Sequence, residues 1–242
     1  MVSVSGVMKG TLYLIPTSLG DEAPVTILPD YNRQVLNKLS HFVVEDLRTA
    51  RRFLKKILPE INIDALSFYI LNEHSSEEEI AALPKILLDG NNLGLLSEAG
   101  LPCVADPGAL LVSHAHEAGV KVIPLSGPSS LFLALMASGF NGQNFAFFGY
   151  LPIDKRERML KIRELEATAL QTGQTQLFIE APYRNRQMMD ALLETLHPFT
   201  KLCIAVDITL PGEYIRTQAV QQWKKTGYPD INKKPAVFLV GM

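Results

Sequence analysis

Three places in this chain put groups capable of proton exchange or charge recognition directly after an apolar run. Leu93–Leu96 is followed by Ser97-Glu-Ala-Gly-Leu-Pro-Cys-Val-Ala-Asp106, a loop of small residues with two acids, closed by Pro107-Gly108. His41–Val44 ends on Glu45-Asp46, and Ala65–Leu71 runs into Asn72-Glu-His-Ser-Ser76, which holds His74. If these runs are strands of a parallel sheet, the polar residues stand at carboxyl ends, where ligands of such sheets collect. The loop after Leu96 is also long and rich in small residues for a plain connection. Glu45 and Asp46 precede Arg48, Arg51, Arg52, Lys55 and Lys56. They read either as the salt-bridged first turn of a helix or as holders of a polar substrate. His74 is accessible to chemistry, although a single loop histidine also serves as an ordinary surface residue.

Two further turns have the same placement. Leu12–Ile15 is stopped by Pro16, with a small polar turn around Ser18 and Gly20. Leu125-Ser-Gly-Pro-Ser-Ser130 introduces a helix predicted over Pro128–Ser138, and small residues there leave helix N–H groups open to an anionic ligand group. No G-x-G-x-x-G and no G-x-x-x-x-G-K-[ST] occurs, which removes the best sequence support for nicotinamide dinucleotides and nucleoside triphosphates. His114 and His116, two apart on a predicted helix, turn to different faces, and no metal site is expected.

Elements of an α/β fold must position these residues. Helical patterns cover Tyr31–Leu39, the basic segment after Asp46, Glu77–Leu88 behind a Ser76 cap, and Ala109–Ala118. Strand patterns cover Leu12–Ile15, His41–Val44, Ala65–Leu71, the run from Leu93 and Val120–Leu125. Beyond these lie strand-like Phe145–Pro152, a charged helix to about Thr172, Gln176–Glu180, a helix capped by Tyr183–Arg186, Leu202–Ile208 and Ala236–Val240. Ile215–Lys225 reads as helix or as strand running into helix. Regular alternation up to Leu125 and crowded strands afterwards predict two α/β domains, 1–125 and 126–242. A parallel sheet is expected in the first and a mixed sheet in the second. The chain has 242 residues, 47% of them hydrophobic, 20% charged, and a net charge of −2, which gives no global signal for nucleic acid or membrane. Two distant cysteines, no leader pattern over Met1–Met8 and no run of membrane-spanning length predict a cytoplasmic protein.

Taken in order, several blocks resemble the tetrapyrrole (corrin/porphyrin) methylase superfamily, the class III S-adenosylmethionine-dependent methyltransferases. They are Gly10–Gly20, Val44-Glu-Asp-Leu-Arg48, Leu96–Gly108, Val122-Ile-Pro-Leu-Ser-Gly-Pro128 and Phe148-Gly-Tyr-Leu-Pro152, with a weaker match through Phe178–Arg184. The blocks are most similar to the branch that methylates a cytidine ribose hydroxyl of small-subunit ribosomal RNA. Glu98 stands where that branch has Asp and Leu101 where it has Thr. Ala205–Glu213 lacks the Arg and Lys of the branch's pattern.

The resemblance implies two α/β domains with a ligand cleft between them, S-adenosyl-L-methionine as cofactor, no metal, and a homodimer. Residues implied to touch the cofactor are Pro16, Ser97, Glu98, Ala99, Pro102, Ser129, Ser130, Glu180 and Ala181. A hydroxyl acceptor needs a proton acceptor, for which Glu45, Asp46 and His74 are the candidates. Arg48, Lys155, Arg156 and Arg184 are the candidates to hold an anionic substrate such as RNA. Two alternatives stay open: a tetrapyrrole or other small-molecule acceptor, and a cofactor-binding homologue without activity.

Overall fold

The computed structural model describes residues 8–21 and 25–242; the segment read above for a leader lies outside them up to Val7. Contacts within the chain divide it into two units, Met1–Pro128 and Ser129–Met242.

In the first unit β1 (Thr11–Ile15), β2 (His41–Val44), β3 (Ser67–Ile70), β4 (Leu93–Leu96) and β5 (Lys121–Pro124) form one sheet in the order β3-β2-β4-β1-β5. Every pairing in it is parallel. All four residues of β4, in the middle of the sheet, are buried, as a parallel strand covered on both faces requires. Side-chain alternation sorts the strands between two cores. Ile15, Phe42, Val44 and Leu96 pack on one face with α1 (Asp30–Leu36) and α2 (Leu47–Ile57). Leu12, Val43, Leu93 and Leu95 pack on the other with α3 (Glu77–Ala82), α4 (Pro84–Leu88) and α5 (Ala109–Glu117). One helix was expected over Glu77–Leu88. Pro84, which has no N–H to give and crowds the preceding turn, divides it. Ser76 caps α3 as expected, in a reciprocal capping box with Glu79.

This strand order has a functional consequence. From β2 the chain crosses to β3 at one edge, whereas from β4 it crosses over β1 to β5 at the other. The connections leave adjacent strands in opposite directions, the arrangement at which open α/β sheets form a ligand crevice, here at the carboxyl ends of β2 and β4.

The second unit holds a mixed sheet of β6 (Phe145–Tyr150), β7 (Thr175–Ile179), β8 (Lys201–Val206), β9 (Tyr214–Ala219) and β10 (Ala236–Gly241), in the order β6-β7-β10-β8-β9. Only β6 and β7 run parallel in it. α7 (Lys155–Thr172), α8 (Asn185–Thr195) and α9 (Val220–Thr226) cover one face around Phe178, Phe238 and Trp223. α6 (Ser130–Ser138) lies against β8, β9 and β10, where Thr217 Oγ1 donates to the Ser138 carbonyl over 2.7 Å. Pro128 stays outside α6, whose cap is Ser129. Residues 215–225 resolve into the end of β9 followed by α9.

Trp223 is fully buried, and its indole N–H donates to the Leu202 carbonyl at 2.9 Å. Trp223→Ala therefore removes the largest side chain of this core and is expected to cost about 3–5 kcal/mol. Urea unfolding followed by circular dichroism should show the lowered midpoint; an unchanged midpoint would contradict the packing described.

Candidate active site

Three loops meet at the carboxyl end of the first sheet. Ser97, just past β4 and 6% exposed, donates its hydroxyl to the Gly100 carbonyl at 2.6 Å and lies 3.1 Å from Thr17 Oγ1. The Thr17 N–H donates to the same carbonyl at 2.9 Å, pinning the loop after β1 to the loop after β4. Gly100 makes this turn with φ +82°, a conformation side chains disfavour. The loop after β5 closes on Pro16: a Cβ at Gly127 would stand 2.3 Å from Pro16 Cγ. Cys103 and Ala105, with φ 66° and 59°, also hold left-handed backbone in the β4 loop, where Pro102 is buried. Non-glycine residues tolerate that conformation at a cost of about 1 kcal/mol or more each, and such strain collects at functional sites.

Glu98 joins the two strand ends at the crevice. Its Oε1 accepts from the Asp46 N–H at 3.2 Å and from Thr49 Oγ1 at 2.7 Å. Asp46 is the N-cap of α2, its Oδ1 accepting from the Thr49 N–H at 2.8 Å. That bond to Thr49, with further help from the backbone at Arg48, holds the Asp46 carboxyl below the usual range. Glu45 and Asp106 are displaced the other way. Burial first, then the charges of Glu98, Glu73 and Asp46, raises the Glu45 carboxyl. Burial and the charge of Glu45 push Asp106 up to about 7, against the pull of the Glu98 N–H that its carboxylate accepts. Burial and Asp106 together push the Cys103 thiol up to about 11, so it is inert as a nucleophile at neutral pH. Four carboxylates around one crevice make a field that favours a cation, and one of them titrates where a proton acceptor is most useful.

A cavity of about 260 Å³ adjoins these carboxylates. Ala50, Phe53 and Leu96 give it apolar surface, Thr17, Ser18, Thr49 and Ser97 give hydroxyl-bearing surface, and Arg52, Lys56, Asp21 and Glu98 give charge.

The other predicted site residues have separate surroundings. His74 lies in the exposed loop after β3, its Nε2 3.6 Å from Glu73. Arg48 is exposed on α2, and Ala99 is exposed next to Glu98. In the second unit, Ser129 accepts weakly from the Phe132 N–H at 3.5 Å, and Ser130 begins α6. Glu180, its side chain 1% exposed, accepts from Arg184 Nη2 at 2.5 Å and from the Ala181 N–H at 2.7 Å. Arg184 and Glu180, expected to face different ligands, are thus ion-paired with each other. Lys155 pairs with Glu194 at 3.2 Å on the surface, and Arg156 is exposed beside it. Among the described residues no group of three or more His, Cys, Asp or Glu could hold a metal ion.

Sequence reasoning passed over Asp106, Thr17 and Thr49. Asp106 read as the first residue of a turn before Pro107-Gly108; the available signal was its position in the same strand-exit loop as Glu98. The raised Asp106 carboxyl means that between about pH 4 and 7 the folded chain holds a proton that the unfolded chain releases. Stability therefore falls as pH rises through that window, because only the unfolded chain gains from releasing the proton. Asp106→Asn should lose this penalty and gain stability relative to the parent between pH 5 and pH 8. Partial exposure to water limits the gain to about 1–2 kcal/mol. Thermal melts at the two pH values check it, and equal shifts at both would contradict the burial of this carboxyl.

Residues 11–222 match the family described as Tetrapyrrole (Corrin/Porphyrin) Methylases. Among curated relatives, the Ribosomal RNA small subunit methyltransferase I of Vibrio cholerae is 32% identical over 223 residues, 92% of this chain and 73% of the relative. Its namesake in Halalkalibacterium halodurans is 34% identical over 185 residues, 76% of this chain and only 60% of that relative's length. The one from Escherichia coli O157:H7 is 30% identical over 226 residues, 93% and 75% of the two chains. The solved methyltransferase CobJ shares the fold with a TM-score of 0.62 at 16% identity, covering 96% of this chain and 93% of that one. A uroporphyrin-III-C-methyltransferase from Thermus thermophilus does so with 0.54 at 21%, covering 97% and 93%. With its parallel and mixed five-stranded sheets and a match over most of its length, the chain belongs to the tetrapyrrole methylase family and is a methyltransferase.

Proposed function

We propose that this chain transfers a methyl group from S-adenosyl-L-methionine to a ribose hydroxyl of small-subunit ribosomal RNA. The observation that carries this reading is the carboxylate crevice, in which Glu98 bridges the Asp46 N–H and the Thr49 hydroxyl while burial and mutual charge raise the carboxyls of Glu45 and Asp106. It fits the donor, whose ammonium and sulfonium are cations and whose hydroxyls can meet main-chain and hydroxyl groups of the small-residue loops. Pro16, Ser97, Glu98, Ala99 and Pro102 of the first unit would hold it. When bound, the donor supplies an activated methyl group on positive sulfur.

The chain's own residues supply the rest. Glu98, fixed by Asp46 and Thr49, orients positive charge. One carboxylate, Asp106, takes the single proton of the attacking hydroxyl as the methyl group is transferred, and the charge of Glu45 keeps Asp106 a strong enough base. Asp46 is a poorer base because its carboxyl is held low and spent on the helix cap. His74, paired with Glu73 in an exposed loop, is left as a surface residue. Arg48, Lys155 and Arg156 grip RNA phosphates, and Arg184 positions Glu180. An RNA acceptor is favoured over a tetrapyrrole by the names of relatives at 30–34% identity. We place the reaction in the cytoplasm with the ribosomal subunits. A homodimer is inferred from the family resemblance. No helix among the described residues is long and apolar enough to cross a membrane.

Purified protein, labelled donor and small subunits lacking the modification should yield label in a 2′-O-methyl nucleoside of the RNA. Label confined to a low-molecular-mass fraction, or binding without transfer, would overturn this reading. Protonating Asp106 removes both a negative charge and a base. kcat/KM for the donor should therefore fall about tenfold per unit below pH 7 and level off above it. Asp106→Asn should lower activity about 10²–10⁴-fold and flatten that profile.

A further inference from the structure

The cavity beside the carboxylates is distinct in character from the crevice itself. Its cations are Arg52 and Lys56, both of which meet Asp21 at its rim, Arg52 through the carboxylate and Lys56 through the carbonyl, so a phosphate would take the place of Asp21 on them; its apolar surface includes an aromatic ring, Phe53. At about 260 Å³ it lies near the small end of ligand pockets, which run from about 300 Å³ upward, so it suits one nucleotide better than a macrocycle. Thr17, Thr49, Ser97 and Glu98 line it and also build the adjoining site, so its occupant reaches the carboxylates directly.

α2 extends the cationic side beyond the cavity. At 100° per residue, Arg48, Arg51, Arg52, Lys55 and Lys56 fall within one arc of the helix, and Ala50, Leu54 and Ile57 within the opposite, buried one. All five bases are exposed, and α2 contains no acid. Arg51 lies over the Phe68 ring at 5.5 Å, and Arg52 meets the exposed Asp21 at 3.1 Å. In a chain of net charge −2 this is a segregated basic face, the kind of surface that follows a phosphate backbone.

We infer that the cavity between α2 and the end of β4 receives the acceptor ribonucleotide, its phosphate on Arg52 and Lys56 and its base against Phe53, while Arg48, Arg51 and Lys55 take flanking phosphates. This rests on the RNA reading above and names where on the chain the RNA is held. The occupant's ribose then faces Glu98 and the proton acceptor, which is the arrangement transfer to a ribose hydroxyl requires.

The test compares the full-length parent with Arg52→Gln/Lys56→Gln, and with Arg163→Gln/Lys224→Gln as a control that removes the same charge from exposed positions elsewhere. Binding of a fluorescein-labelled single-stranded RNA twelve-mer is read by anisotropy across a salt series, and donor binding by calorimetry. The cavity pair should weaken RNA binding at least tenfold and reduce the salt slope by about 1–2, while donor affinity stays within twofold. The control should leave the slope unchanged. In the parent, RNA should shield Arg52 from phenylglyoxal, read by peptide mass spectrometry, a result that needs no variant to fold. If the parent methylates RNA and neither the cavity pair nor Arg52 shielding responds, the cavity assignment fails and the RNA reading stands. If the parent takes donor but neither binds nor methylates RNA, the RNA reading itself fails. Loss of donor affinity in the cavity pair would make this the donor's pocket and overturn the inference.

Discussion

The reversal of chain direction between β2 and β4 is the constraint on which the site depends. Two adjacent parallel strands send their connections to opposite edges, the arrangement that leaves room for a ligand at their carboxyl ends. Glu98 spans that space, taking hydrogen bonds from the Asp46 N–H and the Thr49 hydroxyl. The link ties the exit of a fully buried strand, β4, to the first turn of the basic helix α2. Acidic crevice and basic face are therefore held in fixed relation by one carboxylate.

Such crowding of acids opposes folding, and the structure shows how it is tolerated. Asp46 is satisfied as a helix cap, Glu98 by its two donors, and Asp106 by the Glu98 N–H. What is left over appears as raised carboxyls at Glu45 and Asp106 and as left-handed backbone at Cys103 and Ala105. Two apolar cores on opposite faces of the sheet bear these costs. Strained backbone and displaced titrations coincide in one loop, a combination that is more frequent at functional sites than in plain connections.

The sequence announced the frame of this site more fully than its chemistry. β2 and the start of β4 follow from undiluted apolar runs, and the α3 cap from Ser76 with Glu79, because these signals are local. Pro84 was visible too, yet the apolar period ran through it and masked the break. Strand order is not local. That Glu98 reaches Thr49 and that Asp106 comes under the charge of Glu45 depend on β2 and β4 being neighbours, which no spacing along the chain expresses. The Glu180–Arg184 pair was missed for a different reason. Both residues were read singly as ligand contacts, although four residues apart around a turn they reach one another.

The account rests most directly on the protonation of Asp106, which carbon-13 NMR of the side-chain carboxyls can follow through a pH titration. It predicts a midpoint near 7 for this carboxyl in the free protein, moving downward when S-adenosylmethionine brings positive charge to the crevice. A midpoint near 4 that the donor leaves in place would show an ordinary solvated acid and contradict it.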